Sequence, residues 1–385
     1  MNQFDVVVVG GGIVGLSAAI AHSLRGFSVA LIDAGSLSVD TSVLDPRVYA
    51  INQASLDLLQ VLGVWKYLDA SRLSPYHHMH IWDAKNGAHI DFDARYVGED
   101  RLGTIIEESV IKQGLLQCLD AHHIKTFAGC KVTAVEEAAD YINIHSEDKS
   151  WQSKLLIVAD GAASTVRQLM DIGITTTPYH QDALVTTIRT EMPHHHTAYQ
   201  VFTSGGPLAF LPLPDPHQCS IVWSTSSAHV QSLMELSDDQ FAQQLTQAFA
   251  EKLGHCEVIG KRYSFPLHMR HTKRYSGARW LLMGDAAHTI HPLAGLGLNV
   301  GLADLDTWLR MIDANHLRLD SKKTLAAYQR QRKHAVWQMI VLMGGLKTIF
   351  VNPLPPISFL RGLGLNTCNH LLPLKRWFIE QAAGR

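Results

Sequence analysis

The stretch GDAAHTIHPLAGLGLNVG, residues 284–301, places Asp285, His288 and His291 within seven positions. A carboxylate beside two imidazoles suggests acid–base work or metal binding. Metal binding fits poorly. The histidines stand three apart, Pro292 interrupts any helix there, and no further acid is spaced to complete a ligand set. Both histidines are therefore expected in structural hydrogen bonds, with an influence on ligand protonation as the alternative. HHMH at 77–80 and HHH at 194–196 are expected in loops or at the surface, and Asp40 and Asp45 in turns. No nucleophile–base pair stands out, so no catalytic residue is assigned beyond His288 and His291 as candidates, and no metal is expected.

A different chemistry is written near the start. Gly10, Gly12 and Gly15 form G-x-G-x-x-G between an apolar run and a helical pattern, and Asp33 ends the next apolar run about 20 residues on. Gly10 permits a tight turn, Gly12 lets a pyrophosphate approach the backbone, and Gly15 lets helix and sheet pack closely. The helix N-terminus offers unpaired N–H groups to phosphate, and the Asp33 carboxylate suits ribose hydroxyls. This pattern predicts a dinucleotide and does not separate FAD from NAD. LLIVADGAASTVR (155–167) and RWLLMGDAAH (279–288) repeat the design, each an apolar strand opening onto a Gly–Asp pair: Asp160-Gly161 and Gly284-Asp285. Three such strand ends suit an extended ligand lying across the edge of a parallel sheet.

The elements that must position these residues follow from the pattern. FDVVVV, IVGLSAAIAHSLRG and SVALID read as strand, helix and strand, and residues 126–159 as further β structure with a hairpin. Residues 181–266 are strand-rich and interrupted by one helix, which Ser237 caps. The expected fold is α/β: a Rossmann-like domain from residues 1–70, 101–180 and 278–335, an inserted β-sheet substrate domain from 71–100 and 181–277, and a helical C-terminal region, 336–385.

Composition narrows the function classes. The 385 residues are 46% hydrophobic and 18% charged, with a formal net charge of −2 and no long basic run, which argues against nucleic acid as a partner. Five cysteines without CxxC spacing predict free thiols in a reducing compartment. Residues 6–21 are uncharged, yet they are too short to span a bilayer and carry the glycine cluster. The chain reads as cytoplasmic. Its apolar tail, 336–365, is expected against the core, partner subunits or the membrane surface.

Taken in order, the glycine pattern with its terminal acid, ADGAASTVR and GDAAHTIHPLAGLGLNVG resemble the flavoprotein aromatic hydroxylases of the para-hydroxybenzoate hydroxylase fold. DPRVYAIN, GPLAFLPLP, FPLHMRH and LRGLGLNTCNHLLPLKRWF resemble the ubiquinone-biosynthesis hydroxylases within that group. The resemblance covers essentially the whole chain. It implies an FAD-dependent monooxygenase that hydroxylates the ring of a polyprenylated phenol or benzoquinol through a flavin C4a-hydroperoxide. O2 would be the co-substrate, and NADPH or NADH the reductant, bound without a domain of its own.

By the same resemblance, Gly10, Gly12, Gly15 and Asp33 would hold the ADP half of FAD. Arg47 would lie near the flavin and its phosphates, and Asp160 and Gly161 near the pyrophosphate. Asp285 would hydrogen-bond the ribityl chain, while Pro292, Gly295, Gly297, Leu298 and Asn299 would border the isoalloxazine. Phe202, Phe210, Leu211, Leu213 and Trp223 would line the substrate channel or form sheet core. Implied partners are the lipophilic substrate, other ubiquinone-biosynthesis proteins and sister subunits at an inner-membrane surface. Two departures stand out: Leu296, where the family often has Gln in AGQG, and Glu107-Glu108-Ser109, where it often has ENR. The alternatives are a hydroxylase of another lipophilic phenol, a flavin oxidoreductase without oxygen insertion, or a non-catalytic FAD-stabilised component of a biosynthetic assembly.

Overall fold

The computed structural model describes residues 2–290, 296–351 and 369–384, apart from the side chains of residues 296, 343 and 346–351. The strand Asn2–Val9 is central in a seven-stranded sheet, paired in parallel with Val29–Ile32 on one side and Ser150–Val158 on the other. Lys125–Phe127 and Trp280–Leu282 extend the parallel array. The hairpin Ala134–Glu137/Ile142–His145 closes one edge in antiparallel pairing. Val6–Val8 and Leu155–Val158 have no exposed surface. Such continuous apolar runs are what a strand covered on both faces requires. The helices Ile13–Ser23 and Leu296–Ala314 pack together in that core.

A nine-stranded sheet forms the second body. Its order along the main path is His288–Thr289, Tyr263–Thr272, Ile174–Thr190, Gln218–Ser226, Pro207–Pro212, Thr197–Phe202, His78–Asp83, His89–Asp93, with Cys256–Val258 also on Ile174–Thr190. The helices Ser227–Glu235 and Asp238–Ala248 cover one face through Val230, Leu233, Phe241 and Leu245. Ser237 caps the second helix in a reciprocal capping box with Gln240. A third sheet joins Val48–Asn52, Gly103–Glu107 and Ser74–Tyr76.

Two strands connect what the sequence divides. Ile174–Thr190 runs unbroken across residue 180, and His288–Thr289 joins the nine-stranded sheet although Trp280–Leu282 just before it belongs to the seven-stranded one. The Gly284–Ala286 turn thus bridges both sheets. The helix Lys322–Val351 likewise passes residue 336 and the Gly344-Gly345 pair without a break. The helix Leu372–Ala383 returns to the body, where Asn52 Nδ2 donates to Ala382 O at 2.9 Å. Among the described residues, no helix is long and apolar enough to cross a membrane.

Candidate active site

The first strand ends in a turn that only glycine fits. Gly10 has φ +117°, and a Cβ on it would overlap the Ala159 carbonyl; a Cβ on Gly15 would overlap the carbonyl of Gly10. Gly12 differs, because a Cβ there meets nothing within 4 Å. It is the N-cap of Ile13–Ser23 and supplies no side-chain cap. Uncapped N–H groups and the positive end of the helix dipole therefore border open space, a cradle for a diphosphate. Asp33 stands half-buried at the rim, accepting from Gly11 N at 2.5 Å and Gly35 N at 2.7 Å.

At the second strand end, Gly161 (φ +84°) faces the same opening. Asp160 accepts from Val166 N through Oδ2 at 3.1 Å, while its buried Oδ1 has no partner. A buried orphan acceptor is costly unless a donor reaches it, so this oxygen fits a bound polar group. Arg167 is buried and ties the second joint to the third, donating to Ala162 O at 3.0 Å and Ala286 O at 2.9 Å.

The third joint is held from behind. Asp304, with no exposed surface, accepts from Gly284 N at 2.9 Å, His288 Nε2 at 2.7 Å and Arg332 Nε at 2.6 Å. Burial pushes its carboxyl up, but His288 and Arg332 outweigh that and hold it below the usual range. Asp285 is left opening onto the cleft. Burial holds its carboxyl above the usual range and Glu108 adds to this, against His288, Arg270 and Arg47. His288 is thus in a structural hydrogen bond while also lining the cleft. Sequence reasoning missed Asp304 and Arg332. The available signal was an acid at 304 on the buried helix face carrying Gly301 and Trp308.

A cleft of about 550 Å³ joins these strand ends to the large sheet. Gly12, Arg47, Gly161, Asp285, Gly297 and Leu298 border it. Gly10, Gly15, Asp33 and Asp160 stand behind or beside it as supports. Asn299 is buried and turned toward the third sheet, donating to Ala50 O at 2.7 Å and accepting from Asn52 N at 3.1 Å. His291, Pro292 and Gly295 lie outside the described residues, as does the Leu296 side chain.

The opposite wall shows strand alternation. Ala183, Val185, Ala209, Leu211, Ser220 and Val222 face the cleft. Their neighbours Leu184, Leu208, Phe210, Ile221 and Trp223 turn into the helix-covered core. Of the five channel candidates only Leu211 borders the cleft; Phe210 and Trp223 are sheet core, the second role the sequence left open. Arg47 crosses between the two walls, 3.4 Å from Glu108 Oε2 and 5.0 Å from the Phe265 ring. Tyr49 donates to the same Glu108 oxygen at 3.0 Å. Glu107 is turned away and buried against Arg72.

The run HHMH is less superficial than expected, whereas HHH lies in a loop with His195 and His196 exposed, as expected, and only His194 turned inward. His78 and His80 lie on a strand beside Asp93 and Asp91, and His194 is buried against the Leu213 and Asp215 carbonyls. Each is consumed by strand or turn packing. Among the described residues no group of three His, Cys, Asp or Glu is placed to hold a metal, and Cys118, Cys130, Cys219 and Cys256 are free thiols.

A family model described as FAD binding domain matches residues 3–342. The chain is also 33% identical over 395 residues to the Escherichia coli (strain K12) protein named 3-demethoxyubiquinol 3-hydroxylase, across 99% of this chain and 98% of that one. The chain belongs to the FAD-dependent ubiquinone-biosynthesis hydroxylases. Other relatives of this hydroxylase are the Rhodospirillum rubrum ubiquinone hydroxylase UbiL, 32% identical over 99% of this chain and 89% of that protein, and the Xenopus tropicalis ubiquinone biosynthesis monooxygenase COQ6, 31% identical over 99% and 93%. The fold matches that of p-nitrophenol 4-monooxygenase PnpA from Pseudomonas putida DLL-E4, with TM-score 0.81, 20% identity and full coverage of both chains. FAD fits the residues present: the Gly12 cradle and the open side of Gly161 border the same cleft, and the orphan Asp160 oxygen lies beside Gly161.

Proposed function

We propose that this monooxygenase hydroxylates the aromatic ring of a polyprenylated phenol or benzoquinol intermediate of ubiquinone biosynthesis, using O2 and a nicotinamide reductant. One observation carries the reading. A dinucleotide cradle and a sheet face of small, mostly apolar side chains open into a single cleft. FAD, when bound, supplies the redox and oxygen chemistry, and the protein supplies binding, orientation and exclusion of water. Gly12 and the helix behind it hold the diphosphate, Asp33 the adenosine ribose, and Asp285 the polyol chain. The N-terminus of Leu296–Ala314 brings Gly297 and Leu298 to the cleft with the positive end of a helix dipole, which favours negative charge on a bound ring system. Ala183, Val185, Ala209 and Val222 form an apolar wall for a lipophilic ring. NADPH or NADH reaches this cleft without a domain of its own, and the enzyme works from the cytoplasmic side of the inner membrane.

Two measurements test the reading. Purified protein reconstituted with FAD should give a flavin spectrum and reductant-dependent O2 uptake stimulated by a prenylated phenol. A deletion strain should accumulate the prenylated intermediate one hydroxyl short, which identifies the ring position. Unchanged ubiquinone and no intermediate in that strain would overturn the pathway assignment.

A further inference from the structure

Charge is unevenly spread along the chain. Residues 322–385 hold ten of its 33 Lys and Arg but only one of its 35 Asp and Glu, Glu380, although the whole chain is net negative. The helix Lys322–Val351 carries no acid at all. Its inner side is anchored: Leu325, Tyr328, Arg332 and Val336 are buried, Arg332 on Asp304, and Tyr328 donates to Leu282 O at 2.8 Å. Its outer side changes character along its length. Lys322, Lys323, Arg330 and His334 are exposed first, then Trp337 (54%), Val341 (62%) and Leu342 (42%). Lys323, Arg330, His334, Trp337 and Val341 follow at spacings of seven, four, three and four, the repeat of one helical face. The last helix adds exposed Arg376 and Trp377, with Leu371 and Leu372 beside its start. Both tryptophans that are exposed among the described residues therefore belong to this region.

We propose that this basic and apolar face docks on an anionic lipid bilayer. It rests on the hydroxylase reading only for its purpose, contact with the phase that holds a lipophilic substrate. Lysine and arginine are drawn to anionic headgroups, while tryptophan and aliphatic side chains gain by entering the interface. A polyanion in water would use the bases and leave Trp337, Val341 and Leu342 wet. A neutral apolar partner would leave the bases without a role. An anionic membrane surface satisfies both halves of the helix.

The test uses FAD-loaded full-length protein sedimented with phosphatidylcholine vesicles, with and without phosphatidylglycerol. Binding is expected only with phosphatidylglycerol, with a blue shift of tryptophan fluorescence. It should weaken between about 0.1 M and about 1 M salt, as the screening length falls from about 10 Å to about 3 Å. Replacing Lys322, Lys323 and Arg330 together by Gln should weaken it on the order of 100-fold. The double variant Trp337→Glu/Val341→Glu should lose it while keeping wild-type FAD content and melting temperature. No sedimentation with anionic vesicles, equal binding to neutral ones, or unchanged binding by these variants overturns the proposal. A dimer that dissociates in Trp337→Glu/Val341→Glu without vesicle binding assigns the face to a second copy and also overturns it. Vesicle binding is read without turnover, so its failure leaves the hydroxylase assay standing.

Discussion

The two faces of the nine-stranded sheet are built from the same strands and do opposite work. On the covered face Phe210 stacks on Phe249 with centroids 3.5 Å apart, and Trp82 meets Phe249 edge-on at 5.2 Å. One residue along, Ala209 and Leu211 face the cleft. Large rings fill one side to crystal-like density, while small side chains on the other leave room for a ligand. The contrast teaches that stability and recognition are separated by strand parity. Changes on the packed side, and in the buried supports behind the cleft, should move melting temperature; changes on the open side should move ligand parameters.

The largest effects should fall on buried supports. Asp304→Ala leaves Arg332 and His288 without their shared carboxylate and should cost about 3–5 kcal/mol, read as a lower urea midpoint together with lost FAD affinity. Phe210→Ala should cost a similar 3–5 kcal/mol through its cavity, yet leave the affinity of the remaining folded protein for FAD unchanged. If Phe210→Ala instead raised KM at constant stability, the assignment of faces would be wrong.

His22 gives the next effect, through pH. Trp308 Nε1 donates to its Nε2 at 3.0 Å, so Nδ1 carries the proton and donates to Ala18 O at 2.7 Å. Burial pushes this imidazole down to about 4. The unfolded chain therefore takes up the proton first. Its contribution to stability is complete above about pH 6.5 and is lost as pH falls toward 4, about 3 kcal/mol in all. His22→Gln should flatten that part of the urea-midpoint profile.

The cleft face should behave otherwise. Ala209→Phe fills space without removing packing, so turnover of a prenylated phenol should fall at least tenfold while the melting temperature and flavin spectrum hold. The smallest change should be Ser220→Ala. The Ser220 hydroxyl is buried without a partner, and its loss should change stability by no more than about 1 kcal/mol. A rise in KM with stability intact would show that this hydroxyl meets the substrate.

Much of this was legible from local pattern. The glycine turn, Asp33, the two further strand–Gly–Asp joints and the Ser237 cap each follow from short-range backbone needs, which a few adjacent residues express completely. The face each sheet residue takes was less legible, because alternation fixes only that neighbours differ. Which parity meets the cleft depends on where the helices Ser227–Glu235 and Asp238–Ala248 land. The placement of HHMH depended on strand pairing with the distant segment Thr197–Phe202, so its polarity misled, whereas HHH stayed in the loop its polarity predicts.

By itself, then, the sequence determined the dinucleotide end of the cleft, since φ angles and close backbone approach are properties of single residues and their neighbours. Only the tertiary structure decided that Asp304 and Arg332 brace the third joint, that Asn299 turns toward Val48–Asn52, and that Glu108 meets Arg47 and Tyr49. Those pairs lie 28, 247 and about 60 residues apart, and no local preference encodes a contact that exists only once the sheets have packed.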